Sequence, residues 1–275
     1  MKLVLCGGGE IGRPKIDKDT DEITGFYPME TISIDRKIIE LSGKRNPRLL
    51  FLPTATEGMG KLREWAGYDK QMYPYEYTVR EYFGKKFGAI VDTLYLIDEN
   101  PTDDEIRKKI SDTDIFYVGG GNTRQLITAW KKRGVDVLLK DAIALGAVGA
   151  GVSAGANCWC RYCSTDSAAI EKGLDNGTNL EIMSCMDAAP ILFTPHCVRE
   201  PLRKTFTKKM IETEYKDQMA ICCDDLSALI VCGDDISVVS ENEERSATKI
   251  YFKNGQIIEE KINKTLVQNC TQKGM

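Results

Sequence analysis

The sequence predicts an α/β protein with a doubly wound, mostly parallel sheet flanked by helices and a small antiparallel addition at the C-terminal end. Three observations carry that reading. Through the first two-thirds of the chain, short β-branched runs alternate with longer amphipathic ones, the pattern of a parallel sheet covered on both faces. Two glycine-rich turns, 119–121 and 151–155, each follow such a run, at strand carboxyl ends, where open α/β sheets bind ligands. After Pro190 the apolar runs are short and closely spaced, which reads as strands in succession. No linker, low-complexity tract or internal repeat interrupts the 275 residues, so one α/β domain over residues 1–275 is expected.

Lys2 to Cys6 reads as a buried strand. Thr31 to Leu41 carries Ile32, Ile34, Ile38, Ile39 and Leu41 on a helical stripe. Arg48 to Pro53 is a strand ended by its proline, Glu76 to Phe83 a helix, and Ile90 to Leu96 a strand. Thr102-Asp-Asp-Glu105 has the form of a capping box and opens a helix to about Ile110. Asp114 to Val118 is a strand that runs into Gly119-Gly-Gly-Asn122, followed by a helix holding Leu126, Ile127 and Trp130. A further helix spans Val135 to Leu145. Ala147 to Val152 is a small-residue strand that stops at Ser153. Ile191 to Thr194, Met219 to Cys223, Ala228 to Val231, Ile236 to Ser240 and Lys249 to Phe252 are read as the far edge of the sheet plus the antiparallel addition. Arg13 to Tyr27 is charged and expected to be a surface loop.

Composition excludes several classes. A hydrophobic fraction of 42% with 28% charged residues is ordinary for a soluble globular protein. A net charge of -4 provides neither a basic footprint for nucleic acid nor a cationic surface for anionic lipid. No run approaches the roughly 20 apolar residues of a membrane span, and the N-terminal apolar run is too short for a signal peptide. A cytoplasmic protein is expected, with its ten cysteines as thiols rather than disulfides. Cys158, Cys160 and Cys163 have the spacing C-x-C-x-x-C with no second knuckle, so free thiols are preferred to zinc. No metal and no cofactor are expected. The single histidine, His196, excludes every mechanism that needs two.

Gly151-Val-Ser-Ala-Gly155 fits the G-x-S-x-G nucleophile elbow, with a strand before it and a helix expected after it. Glycines suit a strained strand-to-helix turn, and the helix N-terminus offers N–H groups to a developing oxyanion. The alternative is an ordinary tight turn. Gly119-Gly-Gly-Asn122-Thr123 is either a second source of oxyanion donors or a plain turn with Asn122 as helix cap. His196, in Thr194-Pro-His196, follows a strand. A serine hydroxyl needs a base, no Ser-x-x-Lys follows Ser153, and so the imidazole is the candidate. The acid behind it is open: Asp224 and Asp225 follow a later strand, while Asp166 and Asp187 lie between serine and histidine. Gly7-Gly-Gly-Glu-Ile-Gly12 matches a dinucleotide fingerprint literally, but Arg-Pro-Lys-Ile-Asp-Lys-Asp follows instead of an apolar helix. Those glycines are read as a loop over the active edge of the sheet.

Tyr117-Val-Gly-Gly-Gly-Asn-Thr123, Gly151-Val-Ser-Ala-Gly-Ala-Asn157 and Thr194-Pro-His196, in this order, resemble the peptidase E family of aspartyl dipeptidases. These are serine peptidases on a class I glutamine amidotransferase-like fold, grouped with the cyanophycinases. The resemblance covers Arg48 to Val239. It implies Ser153 as nucleophile, His196 as base, and Gly121 and Ala154 as oxyanion N–H donors. It places the third acid in a turn that here reads Cys223-Asp224-Asp225-Leu226. Asp225 matches best, although the family's turn is of Pro-Glu-Gly type; Asp224 is adjacent, and Asp166 lies near another acid that matters in the family. The implied substrates are small peptides, in particular dipeptides with an N-terminal aspartate. Arg199 or Arg203 would pair with that carboxylate, and Asn122 is a further candidate substrate contact. A homodimer is the assembly considered. The competing readings are a non-catalytic ligand-binding relative, a cyanophycinase-like hydrolase and a nucleotide-dependent enzyme using Gly7 to Gly12.

Overall fold

Alternation of buried side chains organises the first strand, and the rest of the molecule is arranged about it. In this computed structural model, residues 1–17, 20, 23–58, 74–174 and 177–264 are described. In chain order the elements are β1 (Lys2–Cys6), β2 (Pro14–Ile16), β3 (Ile23–Phe26), α1 (Ile32–Ser42), β4 (Arg48–Leu52) and α2 (Pro74–Val79), continued by a π-helical segment (Arg80–Lys86). Then come β5 (Ile90–Thr93), α3 (Asp103–Ser111), β6 (Ile115–Val118), α4 (Thr123–Arg133), α5 (Val135–Ala144), β7 (Val148–Val152) and α6 (Ala154–Asn157). The remainder is β8 (Cys160–Thr165), α7 (Ser167–Glu171), β9 (Glu181–Ser184), β10 (Ala189–Thr194), α8 (Leu202–Thr213), β11 (Ala220–Cys223), β12 (Ser227–Cys232), β13 (Asp235–Ser240), β14 (Ala247–Lys253) and β15 (Gln256–Lys261).

A seven-stranded sheet runs β13-β12-β1-β7-β6-β4-β5. Its members from β1 to β5 are parallel, and β12 joins β1 antiparallel. Both faces are covered, as a parallel sheet requires. On β1, Leu3 and Leu5 enter one apolar cluster while Val4 and Cys6 enter another, on the side of Ile34 and Ile38 of α1. The carboxyl ends of β6, β7 and β1 lie side by side and carry Gly119–Gly121, Ser153 and Gly7–Gly9.

The expectation for the C-terminal third is corrected in extent. β12 and β13 do extend the sheet's edge, but β15-β14-β11-β10-β8-β9 form a separate six-stranded sheet. β10 pairs in parallel with both β8 and β11, which draws it away from the first sheet. The first cluster runs between the two sheets, uniting Leu3 and Leu5 with Phe193, Ile221, Cys223 and Trp159. The helix after Ser153 is one turn long and gives way to β8. Arg13 to Tyr27, expected as a loop, contains the paired strands β2 and β3. The capping box at Thr102 forms as written, with Glu105 N–H donating to Thr102 Oγ1 at 3.3 Å and Thr102 N–H to Glu105 Oε2 at 2.7 Å. Cys158, Cys160 and Cys163 are buried free thiols, with Cys163 Sγ 3.4 Å from Cys185 Sγ. Among the described residues, no helix is long and apolar enough to cross a membrane.

Candidate active site

Ser153 stands between β7 and α6 with φ 55° and ψ -116°, a conformation that a non-glycine residue holds only when its surroundings enforce it. Here its N–H donates to Cys6 O at 3.1 Å, while its carbonyl accepts from Ala156 and Asn157 at 2.9 Å. The turn folds tightly onto β6: a Cβ on Gly155 would fall on the carbonyl oxygen of Val118. That close approach is the physical reason for glycine after the serine.

His196 follows β10, also with positive φ, 57°. Its Nε2 lies 2.9 Å from Ser153 Oγ and its Nδ1 2.8 Å from Asp225 Oδ1. Asp225 sits in the turn from β11 of the second sheet to β12 of the first. Burial raises its carboxyl, yet the hydrogen bond and charge of His196, with the N–H and charge of Arg199, outweigh burial and hold it below the usual aspartate range. An ionised carboxylate only accepts, so the imidazole proton belongs on Nδ1, and Nε2 is left to accept from the Ser153 hydroxyl.

The other acids go elsewhere. Asp224 Oδ2 accepts from Ser246 N–H at 3.0 Å. Asp187 pairs with Arg161 at 2.9 Å. Asp166 accepts from Gly177 N–H and pairs with Arg203, each at 2.9 Å. Of these four acids, Asp225 is the one that meets His196.

Gly121 has φ 137°, and a Cβ there would strike the backbone of Ala55. A Cβ on Gly120, beside it, would come within 3.4 Å of Ser153 Cβ, so the turn after β6 runs close to the serine. Ala154 N–H opens α6. Among the described residues, neither Gly121 N–H nor Ala154 N–H donates to a backbone carbonyl. These are the two N–H groups expected as oxyanion donors.

Two of the expected substrate contacts are placed differently. Arg203 is only 3% exposed, and its guanidinium is held by Asp166, Glu200 and the carbonyl of Ser164. It is an internal cross-link and has no open side for a ligand. Asn122, also 3% exposed, caps α4 by accepting from Gln125 N–H at 3.0 Å and donates to Glu171 at 3.4 Å. Arg199 differs: its backbone N–H donates to Asp225 Oδ2 at 2.9 Å, while its side chain is 58% exposed with Nε 3.6 Å from Asp225 Oδ1. That N–H was not foreseen, because backbone donors leave no mark on composition. Gly8, packed against the His196–Asp225 pair, carried a signal, three glycines after a strand, but not its target.

Hydroxyl, imidazole and carboxylate in hydrogen-bonded series form the constellation of a serine hydrolase. Residues 27–239 match the family model of peptidase family S51. The chain belongs to that family, the peptidase E family, and is a serine peptidase. It is similar to the uncharacterized peptidase YgaJ of Bacillus subtilis (strain 168), 29% identical over 238 residues that cover 86% of this chain and 92% of that protein. The uncharacterized peptidase Lmo0363 of Listeria monocytogenes is 31% identical over 148 residues, covering 50% of this chain and 66% of that protein. Two solved structures share the fold. A peptidase from an acI-B1 Actinobacterium superposes with a TM-score of 0.63 at 16% identity, over 96% of this chain and 94% of the other. A protein of L. monocytogenes EGD-e assigned to peptidase E gives 0.56 at 18%, over 87% and 98%.

Proposed function

We propose that this peptidase cleaves small peptides, in particular dipeptides with an N-terminal aspartate, through an acyl-enzyme on Ser153. The observation that carries the proposal is the unbroken series Ser153 Oγ to His196 Nε2 at 2.9 Å and His196 Nδ1 to Asp225 Oδ1 at 2.8 Å. His196 Nε2 takes the hydroxyl proton as Oγ attacks the scissile carbonyl. Asp225 stabilises the imidazolium and fixes its orientation. The carbonyl oxygen, now an anion, is received by the N–H groups of Gly121 and Ala154. The imidazolium then returns its proton to the leaving amine, and a water activated by the same base releases the acid. Arg199 supports the substrate class. It is the cation next to Asp225 whose side chain is largely exposed, and its guanidinium suits a carboxylate on the substrate.

The test is a hydrolysis screen over a dipeptide panel with the wild type and Ser153→Ala. Turnover of N-terminal aspartate dipeptides is expected, with kcat lowered by several orders of magnitude in the variant. Full activity in Ser153→Ala would end the acyl-enzyme reading, and turnover only of peptides without aspartate would end the substrate assignment.

A further inference from the structure

Three non-glycine residues at the site have left-handed backbones: Ser153 at φ 55°, His196 at φ 57° and Leu226, next to Asp225, at φ 61°. They come from three separate loops, and one short segment meets all of them. Cys6 O accepts from Ser153 N–H at 3.1 Å, Gly7 O from His196 N–H at 3.0 Å, and Gly8 O from Leu226 N–H at 2.7 Å. The segment is itself anchored, because β1 is paired on both sides and Gly7 N–H donates to Ser227 O at 2.9 Å. Strained backbones persist only where the surroundings over-determine them, and these three successive carbonyls supply one constraint each.

Gly8 adds a second observation. A Cβ built on it would lie 2.5 Å from His196 Nδ1 and nearer still to Asp225 Oδ1. The bare Gly8 backbone therefore lies directly against the His196–Asp225 hydrogen bond. Its own φ is not in the left-handed region, so alanine there meets no backbone barrier, and the clash alone distinguishes the two residues.

We propose that Cys6–Gly8 is the positioning element that sets the mutual register of Ser153, His196 and Asp225, with Gly8 excluding any side chain from the His196–Asp225 bond. This rests on the reading of those three residues as the catalytic series. The segment acts through the three loops it ties together.

The test is Gly8→Ala, with Ser153→Ala and Asp225→Asn alongside, assayed on an N-terminal aspartate dipeptide. Displacing a catalytic group by an ångström costs about 10²-fold, and a loss of that order is expected in kcat, with KM little changed. His196 is the only histidine, so the far-downfield proton signal of its Nδ1–H reports the bond without overlap. That signal is expected to shift or vanish in Gly8→Ala. In the Asp225→Asn background the same substitution should add little, because the Nδ1–H bond to a carboxylate that it disturbs has already been replaced by an amide NH2 facing Nδ1. Full kcat with an unmoved signal in Gly8→Ala, while Ser153→Ala is inactive, overturns the proposal and leaves the catalytic series standing. An equal loss in the Asp225→Asn background also overturns it. Full activity in Ser153→Ala overturns both. Should Gly8→Ala not fold, amide hydrogen exchange of the wild type decides: slow exchange at Ser153, His196 and Leu226 is expected, and fast exchange at any of them refutes the tether.

Discussion

Asp225→Asn preserves the shape of the side chain and changes its hydrogen-bonding character. The carboxylate accepts twice, from Arg199 N–H at 2.9 Å on Oδ2 and from the imidazole at Oδ1, 2.8 Å from His196 Nδ1. An amide has one oxygen and one NH2, so it cannot accept at both places. The Arg199 N–H is a donor in every protonation state, whereas imidazole can change tautomer. The amide oxygen should therefore turn to Arg199 and its NH2 to Nδ1. The imidazole proton then moves to Nε2, where it points at Ser153 Oγ in place of the lone pair that must receive the hydroxyl proton. The expected loss in kcat is on the order of 10⁴, or about 5.5 kcal/mol at 1.36 kcal/mol per decade. Stability should change little, since both contacts stay occupied. The assay pairs steady-state hydrolysis of an N-terminal aspartate dipeptide with nitrogen NMR of the selectively labelled histidine. A kcat within about tenfold of wild type, or a proton still on Nδ1, would refute the reasoning.

The remaining predictions concern buried charge. Arg203→Met leaves Asp166 and Glu200 without their shared cation; breaking a buried pair in this way costs about 3–5 kcal/mol, and an unchanged urea midpoint would contradict that. The Asp166 carboxyl, raised by burial but pulled down further by Arg203, sits below its usual range. Its contribution to stability is complete above the unfolded value of about 3.9 and is lost as pH falls through the lower folded value. Asp35 has the opposite sign: it is 2% exposed, and burial pushes it up to about 7 despite the hydrogen bond from Thr31. Between about pH 4 and 7 the folded state holds this proton more tightly than the unfolded one, so stability falls as pH rises through that window, by on the order of 4 kcal/mol in full. Asp35→Asn should remove that slope, so its advantage over wild type should grow from pH 5 to pH 8 in urea melts; an equal difference at both would refute the assignment.

Much of the first sheet was legible because its signals are local. Leu3 to Cys6 is apolar on both faces, the mark of a strand covered on both sides, and Thr102 with Glu105 announces a helix within one turn. The second sheet was not legible as a separate body. β10 and β11 read as strands, but nothing within them says that they pair with β8 and each other rather than extend the first sheet. β8 itself was not read as a strand; the expectation after Ser153 was a helix, and the one that forms, Ala154–Asn157, is a single turn. Arg203 carried no local sign that it would be buried, since its partner Asp166 sits on a different element.

The sequence by itself determined the turn that carries Ser153, the proposed nucleophile, and the one imidazole that could serve it. A serine flanked by glycines after a strand is a matter of backbone sterics over five residues, and one histidine leaves no choice of imidazole. Tertiary structure decided which acid stands behind His196, which arginine stays open, and what lies over the pair. Asp225 reaches the imidazole, and Asp224 does not, because the turn from β11 to β12 crosses between the two sheets with Asp224 bonded to Ser246. The Gly7–Gly8 peptides reach it because β1 lies between β7 and β12. Those are outcomes of strand pairing between distant segments, which no stretch of five or ten residues encodes.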